Sequence, residues 1–361
     1  MLRIKNFFVT ACLISLSCII GLMVIEVALR VIKIGDDWGI TYEANILRNF
    51  KFNYEISHVY DHDIPYADYM RDEFGLRDDC SETSNIEILT VGGSTTDQRY
   101  VPYEATFQAV LQDRMRSQDK KFGCVTNSGV DGHSTWGHIF AFEQWFPLIP
   151  DLKPQFVILY IGINDANFNR LERPVSSFDV KDYSGIKGFL KRFQIFRSLM
   201  PIYRIIQQSN DNYSAAYSGH TPYKYKIEDY NVSNLDKNTF SLSKKNAEAF
   251  RKRLKVLLGY IDDMGSKSIC VTQPHRYTRI KNGTLYGIPN VLGENFSGLD
   301  YDYSIREINT VIYDLCGENT LNLYDYKFSD DDFYDGVHTT SKGSETIGLA
   351  IAEFLIEEII D

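Results

Sequence analysis

The sequence predicts an α/β fold, a three-layer αβα sandwich around a parallel sheet, with an N-terminal transmembrane helix in front of it. Three observations carry this expectation. From residue 86 to the carboxyl terminus, short apolar runs of strand length alternate with longer amphipathic stretches, the pattern of strands joined by crossover helices. Several runs stop at glycine, proline or a polar loop, where such sheets gather their functional residues. Residues 7–25 are nineteen consecutive uncharged residues, mostly apolar, enough to cross a bilayer.

Residues 1–35 read as the membrane anchor. Arg3 and Lys5 precede the apolar run, and Glu26 and Arg30 can pair on one helix face near the interface. A cleaved signal peptide competes with this reading, but the run is longer than a usual signal core and no small-x-small cleavage site follows. Arg3 and Lys5 nearly balance Arg30 and Lys33 on the other side, so the positive-inside rule alone leaves orientation open. A short amino-terminal flank with no later spanning segment fits a signal-anchor. The large domain then lies outside the cytoplasm, on the periplasmic side of the inner membrane if the cell is Gram-negative.

Residues 36–80 read as a tyrosine-rich connector and residues 81–361 as the main domain. In it, 86–91 is a buried strand and 105–115 a helix with Phe107, Val110, Leu111 and Met115 on one stripe. A strand at 122–126 leads through a loop with Gly129 and Gly132 to a helix at 139–146, and a third strand, 156–161, is stopped by Gly162. Further on come a helix at 243–264, a strand at 268–272 closed by Pro274, a helix at 304–315, a strand at 321–324 and a last helix at 341–359.

Between about 166 and 242 the pattern lapses, and this insertion is too long for a simple connection. Ile186, Phe189, Phe193, Phe196 and Tyr203 recur there at helical spacing beside Lys187, Arg192 and Arg197, with Pro201 expected to kink the segment. Either it packs over the domain with its charges in water, or it lies on the membrane or acts as a lid.

With 44% hydrophobic and 24% charged residues, the 361-residue chain has the balance of a folded protein rather than a disordered one. Its net charge is −10, and the anchor's four basic residues make the remainder more acidic still. Such a domain repels phosphate backbones, which argues against nucleic acid as a partner. Of six cysteines, Cys12 and Cys18 lie in the anchor; Cys80, Cys124, Cys270 and Cys316 stand singly, without zinc-site spacing. They suit two disulfides or four buried thiols. Sequons begin at Asn212, Asn231, Asn282 and Asn295.

A serine hydroxyl becomes a nucleophile when a base takes its proton, a third group orients the base, and donors await the oxyanion. The chain offers a residue for each role. Ser94 follows a strand and two glycines, Gly92 and Gly93, which let the backbone turn and expose the hydroxyl with its own N–H. The loop Asn127-Ser128-Gly129-Val130-Asp131-Gly132 brings glycine N–H groups to the same rim, and Gly162-Ile163-Asn164-Asp165 brings an amide. In Asp335-Gly336-Val337-His338 the spacing of three lets the carboxylate fold back onto the imidazole. Each piece alone has an ordinary reading as a turn, a cap or a surface residue; their order along the strand ends is what carries chemistry.

These four blocks resemble the SGNH (GDSL-type) hydrolases, over the α/β portion from about residue 86 onward and not over the anchor or the insertion. The resemblance implies a flavodoxin-like sheet, Ser94 as nucleophile, His338 as base, Asp335 as its partner, and Ser94, Gly132 and Asn164 as oxyanion donors. Gly129 competes with Gly132 for that last role. The first block departs from Gly-Asp-Ser-Leu, having Gly92-Gly93-Ser94-Thr95. That variant looks like one in membrane-anchored members, where a segment similar to Phe74-Gly75-Leu76-Arg77 precedes the first strand. No metal or organic cofactor is implied. His133 and His138 are five apart, the wrong spacing for a helical metal pair. His275 is read as a plain loop histidine or a substrate contact, and neither Gly-x-Ser-x-Gly nor a glycine-rich phosphate loop occurs.

The expected activity is that of a serine esterase or acyltransferase working through an acyl-serine intermediate. O-acylated, above all O-acetylated, glycans are the first choice of substrate, because aromatic faces pack well on sugars and the chain has 24 tyrosines. Lipid esters are the second. The alternative from another class is a catalytically silent, anchored binding or assembly factor for surface polysaccharide.

Overall fold

Successive residues of a strand face opposite sides of its sheet, and here both sides are apolar, so helices must cover both. The computed structural model describes residues 2–32, 38, 44–168, 193–195, 222–291 and 296–360. Its centre is a five-stranded parallel sheet of β3 (Ile86–Gly92), β4 (Cys124–Asn127), β5 (Phe156–Tyr160), β6 (Lys267–Val271) and β9 (Thr320–Leu321). The spatial order is β4-β3-β5-β6-β9. Counted within the sheet this is 2-1-3-4-5, the flavodoxin-like order, whose switch point lies between β3 and β5.

Leu89, Val91, Val157, Leu159 and Cys270 face one layer, built from Phe250, Leu254, Leu257 and Ile261 of α5 (Thr239–Asp263) and Ile305, Ile308 and Ile312 of α6 (Gly298–Cys316). Ile88, Ile158, Tyr160, Ile269 and Val271 face the other. That layer holds Phe107, Leu111 and Met115 of α3 (Phe107–Gln118) and Ile347, Ile351 and Leu355 of α7 (Ser341–Ile360). Spacings of three and four put each set on a single helix face.

Caps account for where several helices begin. Thr106 accepts from Ala109 N–H ahead of α3, and Ser297 and Asp300 form a capping box that starts α6 at 298, six residues before the apolar stripe suggested. The helix expected at 139–146 is α4 (Thr135–Phe140), continued by a π turn, Ala141–Trp145, and a 3₁₀ turn that takes up Pro147. At β9 the ladder is shorter than the expected 321–324. Past Leu321 the Tyr324 N–H donates to the Thr272 hydroxyl at 3.0 Å, so a side chain replaces the next ladder bond.

Two hairpins were not legible as strands. The connector folds into β1 (Phe50–Glu55) and β2 (Tyr66–Arg71), which pair antiparallel, and β7 (Thr278–Lys281) pairs with β8 (Thr284–Gly287). The β7–β8 turn is Asn282-Gly283 with φ of 49° and 80°, the dipeptide that a two-residue hairpin turn favours.

The four cysteines outside the N-terminal helix are oxidised, as Cys80–Cys124 and Cys270–Cys316. Ahead of the hairpin stands α1 (Leu2–Ile32), whose segment Cys12–Val31 has mean hydropathy 2.5 and lies almost wholly exposed. Among the described residues it is the one helix long and apolar enough to cross a membrane. Glu26 pairs with Arg30 at 2.7 Å and also accepts the backbone N–H groups of Gln194 and Ile195 at 2.8 and 3.1 Å. Apart from residues 193–195, the helical segment read between Ile186 and Tyr203 lies outside the described residues, as do Asn212 and Asn295.

The Cys80–Cys124 bond joins the end of the connector to β4 across 44 residues. Closing a loop of that size stabilises a fold by about 4 kcal/mol in the chain-entropy model. The double variant Cys80→Ser/Cys124→Ser is expected to lose about that much in urea unfolding, and reductant should bring the parent protein toward it.

Candidate active site

The polypeptide leaves β3 through Gly92 and Gly93 and enters the single-turn helix α2 (Ser94–Asp97) at once. There is no room for side chains on that turn. A Cβ at Gly92 would collide with the Thr96 side chain and stand 2.5 Å from the Tyr160 carbonyl oxygen; at Gly93 it would stand 2.7 Å from Asn164 Nδ2 and 2.9 Å from the His133 carbonyl oxygen. The space a side chain at position 93 would need is taken by the Asn164 amide. Ser94 is left partly accessible at the carboxyl edge of the sheet, at the β3–β5 switch point.

His338 Nε2 lies 2.8 Å from Ser94 Oγ, and His338 Nδ1 lies 2.6 Å from Asp335 Oδ2. The spacing of three works as a tight loop: the other carboxylate oxygen, Oδ1, accepts the N–H groups of Val337 and His338 at 2.9 and 2.8 Å. One oxygen therefore shapes the loop while the other orients the ring. Tyr334 stacks on the imidazole, with centroids 5.6 Å apart and planes 11° from parallel.

Burial presses the His338 imidazole toward its neutral form. The adjacent Asp335 carboxylate, its hydrogen bond, and the charges of Asp131 and Asp97 outweigh that, and the net effect holds the pKa above its ordinary value of 6.5.

Asn164 ends the turn after β5 and donates through Nδ2 to the His133 carbonyl at 2.8 Å, keeping a second amide hydrogen. The neighbouring Asp165 pins this turn from below, accepting from Thr135 N–H at 3.1 Å and from Arg253 Nη2 at 3.1 Å. Gly132 sits at φ 81° in the loop that carries His133. Its competitor Gly129 is committed elsewhere: its N–H donates to Asn127 Oδ1 at 2.8 Å and its carbonyl accepts from Arg71. The structure thus brings Ser94, His338 and Asp335 into one hydrogen-bonded chain, with Asn164 against the residue before Ser94 and the Gly132 loop beside it.

His275 and His133 are held in the packing of the domain. His275 is enclosed between Asp302, at 3.0 Å from its Nε2, and the Tyr277 N–H, which donates to its Nδ1. His133 Nε2 meets the Ala44 carbonyl at 2.7 Å. Among the described residues no cluster of three or more His, Cys, Asp or Glu is arranged to hold a metal.

What sequence reasoning missed lies under α2. Asp97 is buried and accepts from the Tyr69 hydroxyl at 2.7 Å, from Arg99 at 3.3 Å and, closer still, from Arg71. Arg71 also donates to the carbonyls of Asn127 and Gly129, at 2.9 and 2.6 Å. Arg77, 1% exposed, donates to the carbonyls of Asp97, Gln98, Val101 and Asp68. The second arm of Arg99 reaches Asp131, next to Gly132, at 3.3 Å. The connector is therefore the floor on which the turn carrying Ser94 rests. The one signal for it was the segment Phe74-Gly75-Leu76-Arg77, noted only as a resemblance.

No family model matches the chain, and no curated protein matches it. Solved structures do. A lipolytic protein of the G-D-S-L family from Veillonella parvula is 14% identical, covering 74% of this chain and 97% of its own, with a TM-score of 0.39. For an acetylxylan esterase from Geobacillus stearothermophilus the figures are 12%, 78%, 96% and 0.38. For a lipase from a goat rumen metagenome they are 10%, 74%, 97% and 0.42.

If His338 acts as a base it must be unprotonated, so activity should rise with pH through its raised pKa. A kcat/KM profile is expected to inflect above pH 6.5. Asp335→Asn should move the inflection down and lower kcat by about 10⁴-fold, through loss of the tautomer and of the stabilised imidazolium. An unshifted inflection in that variant would show that another group titrates.

Proposed function

We propose that this chain is a membrane-anchored serine hydrolase of the SGNH type. It cleaves or transfers acyl, above all O-acetyl, esters of a glycan outside the cytoplasm. The observation that carries the reading is the aligned pair of contacts on His338, 2.8 Å to Ser94 Oγ and 2.6 Å to Asp335 Oδ2, reached across 244 residues of sequence. Nothing in the packing of a loop requires a hydroxyl, an imidazole and a carboxylate in that order.

In the first half-reaction His338 takes the Ser94 proton as Oγ attacks the ester carbonyl. The oxyanion that forms is met by the N–H groups of Ser94 and Gly132 and by the Asn164 amide. Collapse breaks the ester bond, His338 returns the proton to the leaving alcohol, and the acyl group remains on Ser94. In the second half, water or an acceptor hydroxyl attacks the acyl carbonyl as it gives its proton to His338; collapse breaks the Ser94 Oγ–acyl bond, and His338 returns that proton to Ser94 Oγ. Asp335 keeps the ring in the right tautomer throughout.

The glycan preference is supported by the tyrosine content, since aromatic faces pack well on sugars.

A fluorophosphonate probe is expected to label the full-length protein on Ser94 and to leave Ser94→Ala unlabelled; a parent protein that stays unlabelled would be the silent binding factor instead. Asn164→Ala should lower turnover by about 10²–10³-fold, the usual effect of losing one oxyanion donor. A panel of acetylated oligosaccharides and lysophospholipids then separates the substrate classes, with acetate release from the sugars as the expected result.

A further inference from the structure

We propose that Gln273 is a positioning residue that holds the Ser94 nucleophile and the Asn164 oxyanion donor at their working separation. The inference rests on the esterase reading above. Gln273 stands just past the carboxyl end of β6 and is 2% exposed. Its Oε1 accepts the Ile163 N–H at 2.8 Å, and its Nε2 donates to Thr95 Oγ1 at 2.6 Å. The orientation of the amide follows from chemistry: a backbone N–H only donates, so the oxygen must face Ile163 and the NH₂ group must face the Thr95 hydroxyl.

Thr95 is the residue after Ser94, and Ile163 is the residue before Asn164. On the other side of the nucleophile the Asn164 amide packs against Gly93, 2.7 Å from where a Cβ would stand. A ring therefore closes through Gly93, Ser94, Thr95, the Gln273 side chain, Ile163 and Asn164. The Ile163 carbonyl is itself held by the Tyr301 hydroxyl at 2.7 Å, so the clamp is backed by α6. Gln273 touches none of the reacting atoms. It acts from a third strand on the two turns that carry them, and an oxyanion site is defined by the separation of those turns. A misplacement of about 1 Å can reduce a rate by about 10²-fold.

The test uses the full-length protein in detergent with p-nitrophenyl acetate as substrate. Gln273→Met keeps the length of the side chain and removes both hydrogen bonds. It is expected to lower kcat by about 10²-fold while KM and the circular dichroism spectrum stay close to those of the parent. In an Asn164→Ala background the same replacement should change kcat by no more than about twofold, because the donor it positions is gone; contacting residues in one unit are non-additive in this way. If Gln273→Met does not fold, Thr95→Val cuts the Thr95 half of the clamp and is read against Asn164→Ala in the same manner. An unchanged kcat, or a full penalty that persists in the Asn164→Ala background, overturns the proposal and leaves the esterase reading standing. Full activity in Ser94→Ala would instead remove the esterase reading itself.

Discussion

The structure depends on a steric constraint at one turn. Between β3 and α2 the chain passes so close to Thr96, Tyr160, His133 and Asn164 that positions 92 and 93 admit no side chain. A strand that must end abruptly and present the next residue at the sheet edge needs such a turn. It sets the direction of Ser94, and it brings the Asn164 amide against the Gly93 backbone just before it. Ser94 and the neighbouring Asn164 amide are thus placed by one packing event rather than two. With the strand order reversing between β3 and β5, that event falls where an open α/β sheet has a natural crevice.

The turn is held from below by charge. Asp97 at the end of α2 is buried with three cations around it, and each of those cations also binds backbone carbonyls or a second carboxylate. A buried ion pair on its own adds little net stability, because desolvation offsets the attraction. Its effect is specificity of geometry, since a guanidinium with several fixed acceptors tolerates few arrangements. Arg99 links Asp97 to Asp131 and so couples α2 to the Gly132 loop. Arg71 and Arg77 come from the β1–β2 hairpin and the segment after it, so the chain between anchor and sheet belongs physically to the candidate site. The Cys80–Cys124 bond fastens that same segment to β4.

The residues that meet substrate in the proposed mechanism were legible because their chemistry is local. Asp335 and His338 are three apart, Ser94 follows its glycines directly, and Asn164 sits at the end of an apolar run. The supporting residues were not legible in this way. Gln273, Asp97 and Arg71 are ordinary residues in sequence, and their role comes from partners 26 to 178 positions away. The two hairpins were missed for a different reason: short strands with one exposed face carry few buried side chains and so leave a weak periodic signal. Asn282-Gly283 marked its turn all the same, but the dipeptide was read as part of a sequon.

By itself the sequence determined the alternation of strands and helices, the apolar N-terminal helix, the acidic character of the domain and the identity of five candidate site residues, because each of these is written in neighbouring residues or in composition. Tertiary structure alone decided which cysteines pair, that Arg71 engages the Gly129 carbonyl, and that the tyrosine-rich connector packs under the turn that carries Ser94. Those outcomes depend on distances between segments remote in sequence. Such distances follow from the packing of both helical layers on one sheet, which no local pattern encodes.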